Sequence, residues 1–291
     1  MTDILHPYSV TYPEILAIAS EDEKQIELIE HFDCIGGAMW VKNHYVKSPL
    51  VESSRIVGMT NRFLVKTGDA DLQLQGSYFP AGIAGAHIAK DEISITYKGL
   101  GGGGVGASIC RASAAGVLRF TSDECGGGKT AGSTLHLPKF TRVIIGVDDT
   151  DTPEEGATWS LAHNIARAVE NEHARYLSHT ITQLYPVSFR TKNCVAVACE
   201  FATDNPEKLI DAFEALVRKY TLSDDTGLCA YAGFDPSALL PYARKVKAGE
   251  ITLKDFESVR KHLEVRIEGR GIIGAAASIP FYTRFDEALS L

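Results

Sequence analysis

Apolar residues in the second half of the chain fall into an ordered series of short and long periods. The run RVIIGV at 142–147 is continuous and brief, as for a buried strand. After a polar turn, Leu161, Ile165, Ala168 and Val169 recur at helical spacing and predict a helix over 158–172. Further strands are predicted near 177–185 and 194–203. Asn205-Pro206 then opens a helix over 207–220 with Leu209, Ile210, Phe213, Leu216 and Val217 on its inner face. Two more helices are predicted at 236–248 and 252–263. This βαββα order predicts an α/β sandwich with helices on one sheet face.

The first half is less regular. Ser20 followed by Glu23 reads as a capping box, which predicts a helix over 20–32 carrying Ile26 and Ile29. Near-alternating β-branched and aromatic residues predict strands at 62–66 and 92–97. Two glycine-rich stretches follow, GLGGGGVGASICRASAAGVLRF at 99–120 and CGGGKTAG at 125–132, each either a phosphate cradle or a structural loop. The second misses the P-loop pattern because Asp123 stands where its first glycine belongs. The composition shift at 137–141 predicts two domains, 1–138 and 139–291, with an overall fold class of α/β in the α+β sense.

Composition narrows the partners. The 291 residues are 45% apolar and carry 29 Lys plus Arg against 37 Asp plus Glu, so the net charge of -8 supplies no broad basic field for nucleic acid or anionic membrane. No apolar run is long enough to span a bilayer, and the N-terminus lacks a signal-peptide pattern, so a cytoplasmic protein is expected. The six cysteines form no C-x-x-C pair. Cys194 and Cys199 stand an odd distance apart, which on one strand turns them to opposite faces.

The sharpest chemical signal is Asp148-Asp149-Thr150-Asp151, at the end of the VIIGV strand. Three carboxylates in four residues repel one another, so such a turn is either solvated or neutralised by a hard cation. Magnesium with an ATP phosphate fits that second case. EF-hand and D-x-D-x-T patterns both fail, because Pro153 stands at a required position. Thr158 opens the next helix, either as its N-cap or as a group facing an anion at the helix start. Arg190 and Lys192 are either phosphate clamps or a solvated pair. Arg270 and Gly271 in GRGIIG are either ligand contacts or helix packing.

VIIGVDDTDTPEEGATWSLAHNIA, Tyr185-Pro186 through FRTKNCVAVACEF, and GRGIIGAAASI together resemble the kinase-like and ferredoxin-like catalytic portion of archaeal tRNA-isoleucine agmatinylcytidine synthetase. The likeness covers roughly half the chain. The chain as a whole resembles the family called methanogenesis marker protein 11, from methanogenic archaea. The resemblance implies that Asp148, Asp149 and Asp151 hold or orient magnesium, that ATP is the phosphoryl donor, and that Thr158 matches a self-phosphorylated threonine. Trp159 replaces the next threonine of that pattern. Arg190-Thr191-Lys192-Asn193-Cys194-Val195 stands where the synthetase has K-T-R-G-N-G. With no C-x-x-C pair for a zinc ribbon and an acidic net charge, no direct tRNA binding is expected.

The resulting expectation is a Mg-ATP-dependent phosphoryl or adenylyl transferase acting in methanogenesis. Asp148, Asp149, Asp151 and Thr158 would be catalytic, and Arg190, Lys192, Arg270 and Gly271 would bind nucleotide. The alternative is a non-catalytic, nucleotide-binding assembly or maturation factor for a methanogenesis enzyme such as methyl-coenzyme M reductase.

Overall fold

The computed structural model describes residues 8–188, 190–191 and 193–291. The chain divides into two compact units, Met1–Phe140 and Thr141–Leu291.

The first unit contains β1 (Glu14–Ala19), β2 (Gln25–His31), α1 (Ile35–Tyr45), β3 (Val51–Val57) and β4 (Thr60–Lys66). It continues with β5 (Gly68–Asp69), β6 (Ala81–Ile88), β7 (Glu92–Leu100), α2 (Gly102–Val105), β8 (Arg119–Ser122) and β9 (Thr130–Pro138). Two antiparallel sheets result, ordered β1-β2-β4-β3 and β5-β6-β7-β9-β8, and one apolar core joins them to α1. The helix expected over 20–32 is instead a turn and β2. Alternation in QIELIEH suits a strand, and the Ser20 hydroxyl that looked like a helix cap accepts from Gln25 N–H at 3.0 Å across the β1–β2 turn.

Both glycine clusters lie in this unit. The first forms α2 and a π-helical turn at Gly106–Cys110, which delivers Arg111 into the core. There Arg111 Nε meets Glu30 Oε1 at 2.6 Å, and Tyr97 donates to the same oxygen at 3.0 Å. The rings of Tyr12, Tyr45 and Tyr97 surround the guanidinium at 4.5–4.8 Å. A charge buried this deeply is tolerated because it is paired and hydrogen-bonded.

The second unit contains β10 (Thr141–Asp148), α3 (Thr158–Val169), β11 (Ala174–Gln183), β12 (Val195–Thr203), α4 (Pro206–Tyr220) and β13 (Gly227–Ala232). It ends with α5 (Leu240–Ala248), α6 (Leu253–Phe256), β14 (Glu264–Glu268), α7 (Ile272–Ser278) and α8 (Phe285–Leu289). One antiparallel sheet, ordered β11-β12-β10-β13-β14, makes this an α+β fold. Helices cover both faces rather than the single face expected. Val143, Ile145 and Val147 pack toward α3 and α4, while Ile144 packs toward α5 and α7, which is why β10 reads as a continuous apolar run. Cys199 falls in the first of these cores and Cys194 packs against the second, as their odd spacing requires.

The helix expected over 252–263 shrinks to α6 and a separate 3-10 turn at Arg260–His262. Strands β13 and β14 had no sequence counterpart. They position the site, because β13 pairs with β10 beside the acidic turn and Gly227 stands opposite Asp148.

Candidate functional site: an acidic cleft

The acidic turn leaves the central strand β10 at the edge of a cleft whose empty space, open solvent at its mouth included, is about 590 Å³. Asp148 and Asp149 line it together with Arg190, Asn193, Arg270 and Gly271. Leu184, Val246, Ile251 and Ile273 supply apolar wall. The geometry thus brings Asp148, Asp149, Arg190, Arg270 and Gly271 together. Lys192 lies outside the described residues.

Asp148 is almost wholly buried, and its carboxylate accepts the N–H of Asp149 at 2.8 Å. Asp149 has φ 52°, a left-handed conformation that aspartate tolerates better than most residues and that recurs at functional sites. Burial first, then the charge of Asp149, pushes the Asp148 carboxyl well above the usual carboxylate range. Burial also pushes Asp149 up to about 6; Arg270 opposes that rise, and the charges of Asp225 and Asp151 add to it.

Asp151 and Thr158 turn elsewhere. The Thr158 hydroxyl accepts from the Thr150 N–H at 3.1 Å and the Thr150 hydroxyl at 3.0 Å, and donates to Asp151 Oδ1 at 3.4 Å. Thr191 donates to the same Asp151 oxygen at 3.2 Å. Thr158 is 5% exposed, and Ala157, not Thr158, occupies the N-cap position of α3. Its hydroxyl therefore ties the turn to the helix instead of capping the helix backbone.

The turn is fixed from a second side. Thr226 donates to the Asp149 carbonyl at 3.0 Å, and the Leu222 N–H donates to the Thr150 carbonyl at 2.9 Å. Gly274 marks the closest approach: a Cβ there would sit 1.9 Å from Asp148 Oδ2, so only glycine lets α7 lie against that carboxylate. Gly274 was missed in the sequence, and Thr226, which opens the stretch standing where the synthetase has T-N-P-G, was given no role. Gly274 had a signal, since GIIG places it three residues after Gly271, on the same face at a helix start.

Among the described residues, no group of three His, Cys, Asp or Glu side chains converges as a metal site. The available donor set is the Asp148–Asp149 pair. Two adjacent carboxylates on one cleft fit a magnesium ion, which takes one or two protein carboxylates and completes its shell with water and phosphate.

Residues 144–207 match the family model of the TiaS TCKD domain. Across nearly its full length the chain is 39% identical over 284 residues to "Uncharacterized protein MJ0921" of Methanocaldococcus jannaschii, covering 93% of this chain and 94% of that one. The chain belongs to the family of that protein.

Similar solved structures include a complex of TiaS with tRNA and ATP at 25% identity and TM-score 0.44, and apo TiaS, a tRNA agmatidine synthetase, at 26% and 0.41. Each match covers 48% of this chain; the chain spans only 36% and 35% of those two, about a third of their length. These neighbours overturn the expectation of no direct tRNA binding, since they include TiaS bound to tRNA. The physical error lay in using a whole-chain charge, which is a sum and carries no information about a local surface. Among the described residues no helix is long and apolar enough to cross a membrane.

Proposed function

We propose that residues 141–291 bind Mg-ATP in the acidic cleft and transfer its terminal phosphoryl group, or an adenylyl group, to an acceptor. The observation that carries this is the pairing of Asp148 and Asp149 on one cleft with Arg190 and Arg270. Asp148 and Asp149 would hold the magnesium ion, whose charge offsets that of the phosphates. The two arginines supply charge-assisted hydrogen bonds to phosphate oxygens. Thr158, Thr191 and Thr226 keep the turn in place, and positioning of this kind carries much of phosphoryl-transfer catalysis.

The TiaS TCKD match over 144–207 supports use of ATP, and the neighbours' printed names make tRNA the first acceptor to test. A role in methanogenesis rests on the resemblance to the marker family. The second reading, a nucleotide-binding maturation factor without turnover, is favoured by the burial and full engagement of the Thr158 hydroxyl.

Calorimetric titration should detect ATP binding that requires magnesium, and assays with tRNA or cell extract should release ADP or pyrophosphate. Asp148→Asn and Asp149→Asn should each reduce turnover by about 100-fold or more. Magnesium-dependent binding with no turnover on any acceptor would favour the maturation factor. A wild-type chain that ignores Mg-ATP would end both readings.

A further inference from the structure

Arg270 lines the cleft, yet its guanidinium Nη2 donates to Asp225 Oδ2 at 2.8 Å. Asp225 is not among the residues that wall the cleft. The two segments that carry this pair are laced together through their backbones. Gly271 N–H donates to the Asp225 carbonyl at 2.8 Å, and Gly269 N–H donates to the Thr226 carbonyl at 2.9 Å. A Cβ at Gly269 would lie 2.3 Å from the Asp225 carbonyl carbon, so the contact is as close as two backbones allow. Thr226, the next residue, holds the Asp149 carbonyl. The segment that fixes the acidic turn therefore also presents a carboxylate to the arginine beside it.

We infer that Asp225 is a positioning residue that holds Arg270 beside the cleft and surrenders it to the polyphosphate of a bound nucleotide. This rests on the nucleotide-binding reading above. Both partners are about half exposed, at 42% and 51%, so the pair is weak enough to exchange. A polyphosphate offers the guanidinium more charge and more oxygens than one carboxylate does. The Asp225 carboxylate, once released, is hydrated in place. The affinity of the cleft for nucleoside triphosphate is then set in part by a residue that does not touch the ligand.

The test is a double-mutant cycle on the full chain, read by calorimetric titration with Mg-ATP. Asp225→Asn should tighten binding by about two- to fivefold, the range of a half-exposed ion pair. In an Arg270→Gln background the same substitution should change nothing, and Asp225→Glu, which keeps the carboxylate, should return affinity toward wild type. Weaker binding in Asp225→Asn would mean that Asp225 aims Arg270 at the phosphates. An equal gain with and without Arg270 would reduce the effect to charge repulsion. Either result overturns the inference while leaving the nucleotide site standing, whereas a wild-type chain that binds no Mg-ATP removes the site itself.

Discussion

His179, on β11, keeps its Nε2 buried without a hydrogen-bond partner among the described residues. Burial, helped by the neighbouring His163, lowers its pKa from 6.5 to about 4. Above pH 6.5 the ring is neutral folded or unfolded and contributes no pH dependence. Between 6.5 and about 4 the unfolded chain takes the proton first, so stability falls as pH falls. Asp149 acts in the opposite direction, since its raised pKa favours the folded state once it is protonated. His179→Gln should therefore lose less thermal stability than wild type between pH 6.5 and 4, a difference that thermal melts across this window would measure. Parallel melting curves would remove His179 as the cause. At this scale the sequence read Asp148 and Asp149 correctly as neighbours in a turn. It could not assign the Thr158 hydroxyl, whose partners are set by how the turn folds back on α3.

Packing of α7 on the sheet depends on Gly146 in the middle of β10. A Cβ there would fall 2.1 Å from the Ala275 carbonyl oxygen, so α7 rests on strand backbone. Gly146→Ala should cost about 1–3 kcal/mol in chemical denaturation, with α7 displaced from Asp148 and Mg-ATP binding weakened in parallel. Unchanged stability would show that the helix relaxes freely. Among the elements, β10, α3, β12 and α4 were legible because their apolar periods are local and strong. The turn after β1 and strand β2 were misread as a helix because Ser20 and Glu23 satisfy a helical spacing while the residues beyond them alternate. Strand β13 stayed hidden because GLCAYA is a short apolar run without alternation, whereas EVRIE in β14 does alternate and that signal was passed over.

Each unit is built around a buried ion pair. Arg111 and Glu30 serve the first; in the second, Arg142 Nε meets Glu200 Oε1 at 3.0 Å, and Ser178 donates to the other Glu200 oxygen at 2.8 Å. Removing one partner strands a charge in an apolar interior, at a cost of about 3–5 kcal/mol. Arg111→Met should therefore reduce amide-exchange protection mainly within 8–140, and Arg142→Met mainly within 141–291. Loss of protection spread evenly through the chain in either variant would show that the two cores do not unfold separately. The sequence by itself determined the strand, acidic turn and helix that begin the second unit, because hydrophobic period and turn chemistry act over a few residues. Only the tertiary structure decided which distant groups meet that turn. Thr226 reaches the Asp149 carbonyl across 77 positions, and Arg270 meets Asp225 across 45. Such meetings follow from strand order and from backbones that glycine allows to touch, and no local pattern of apolar and polar residues encodes them.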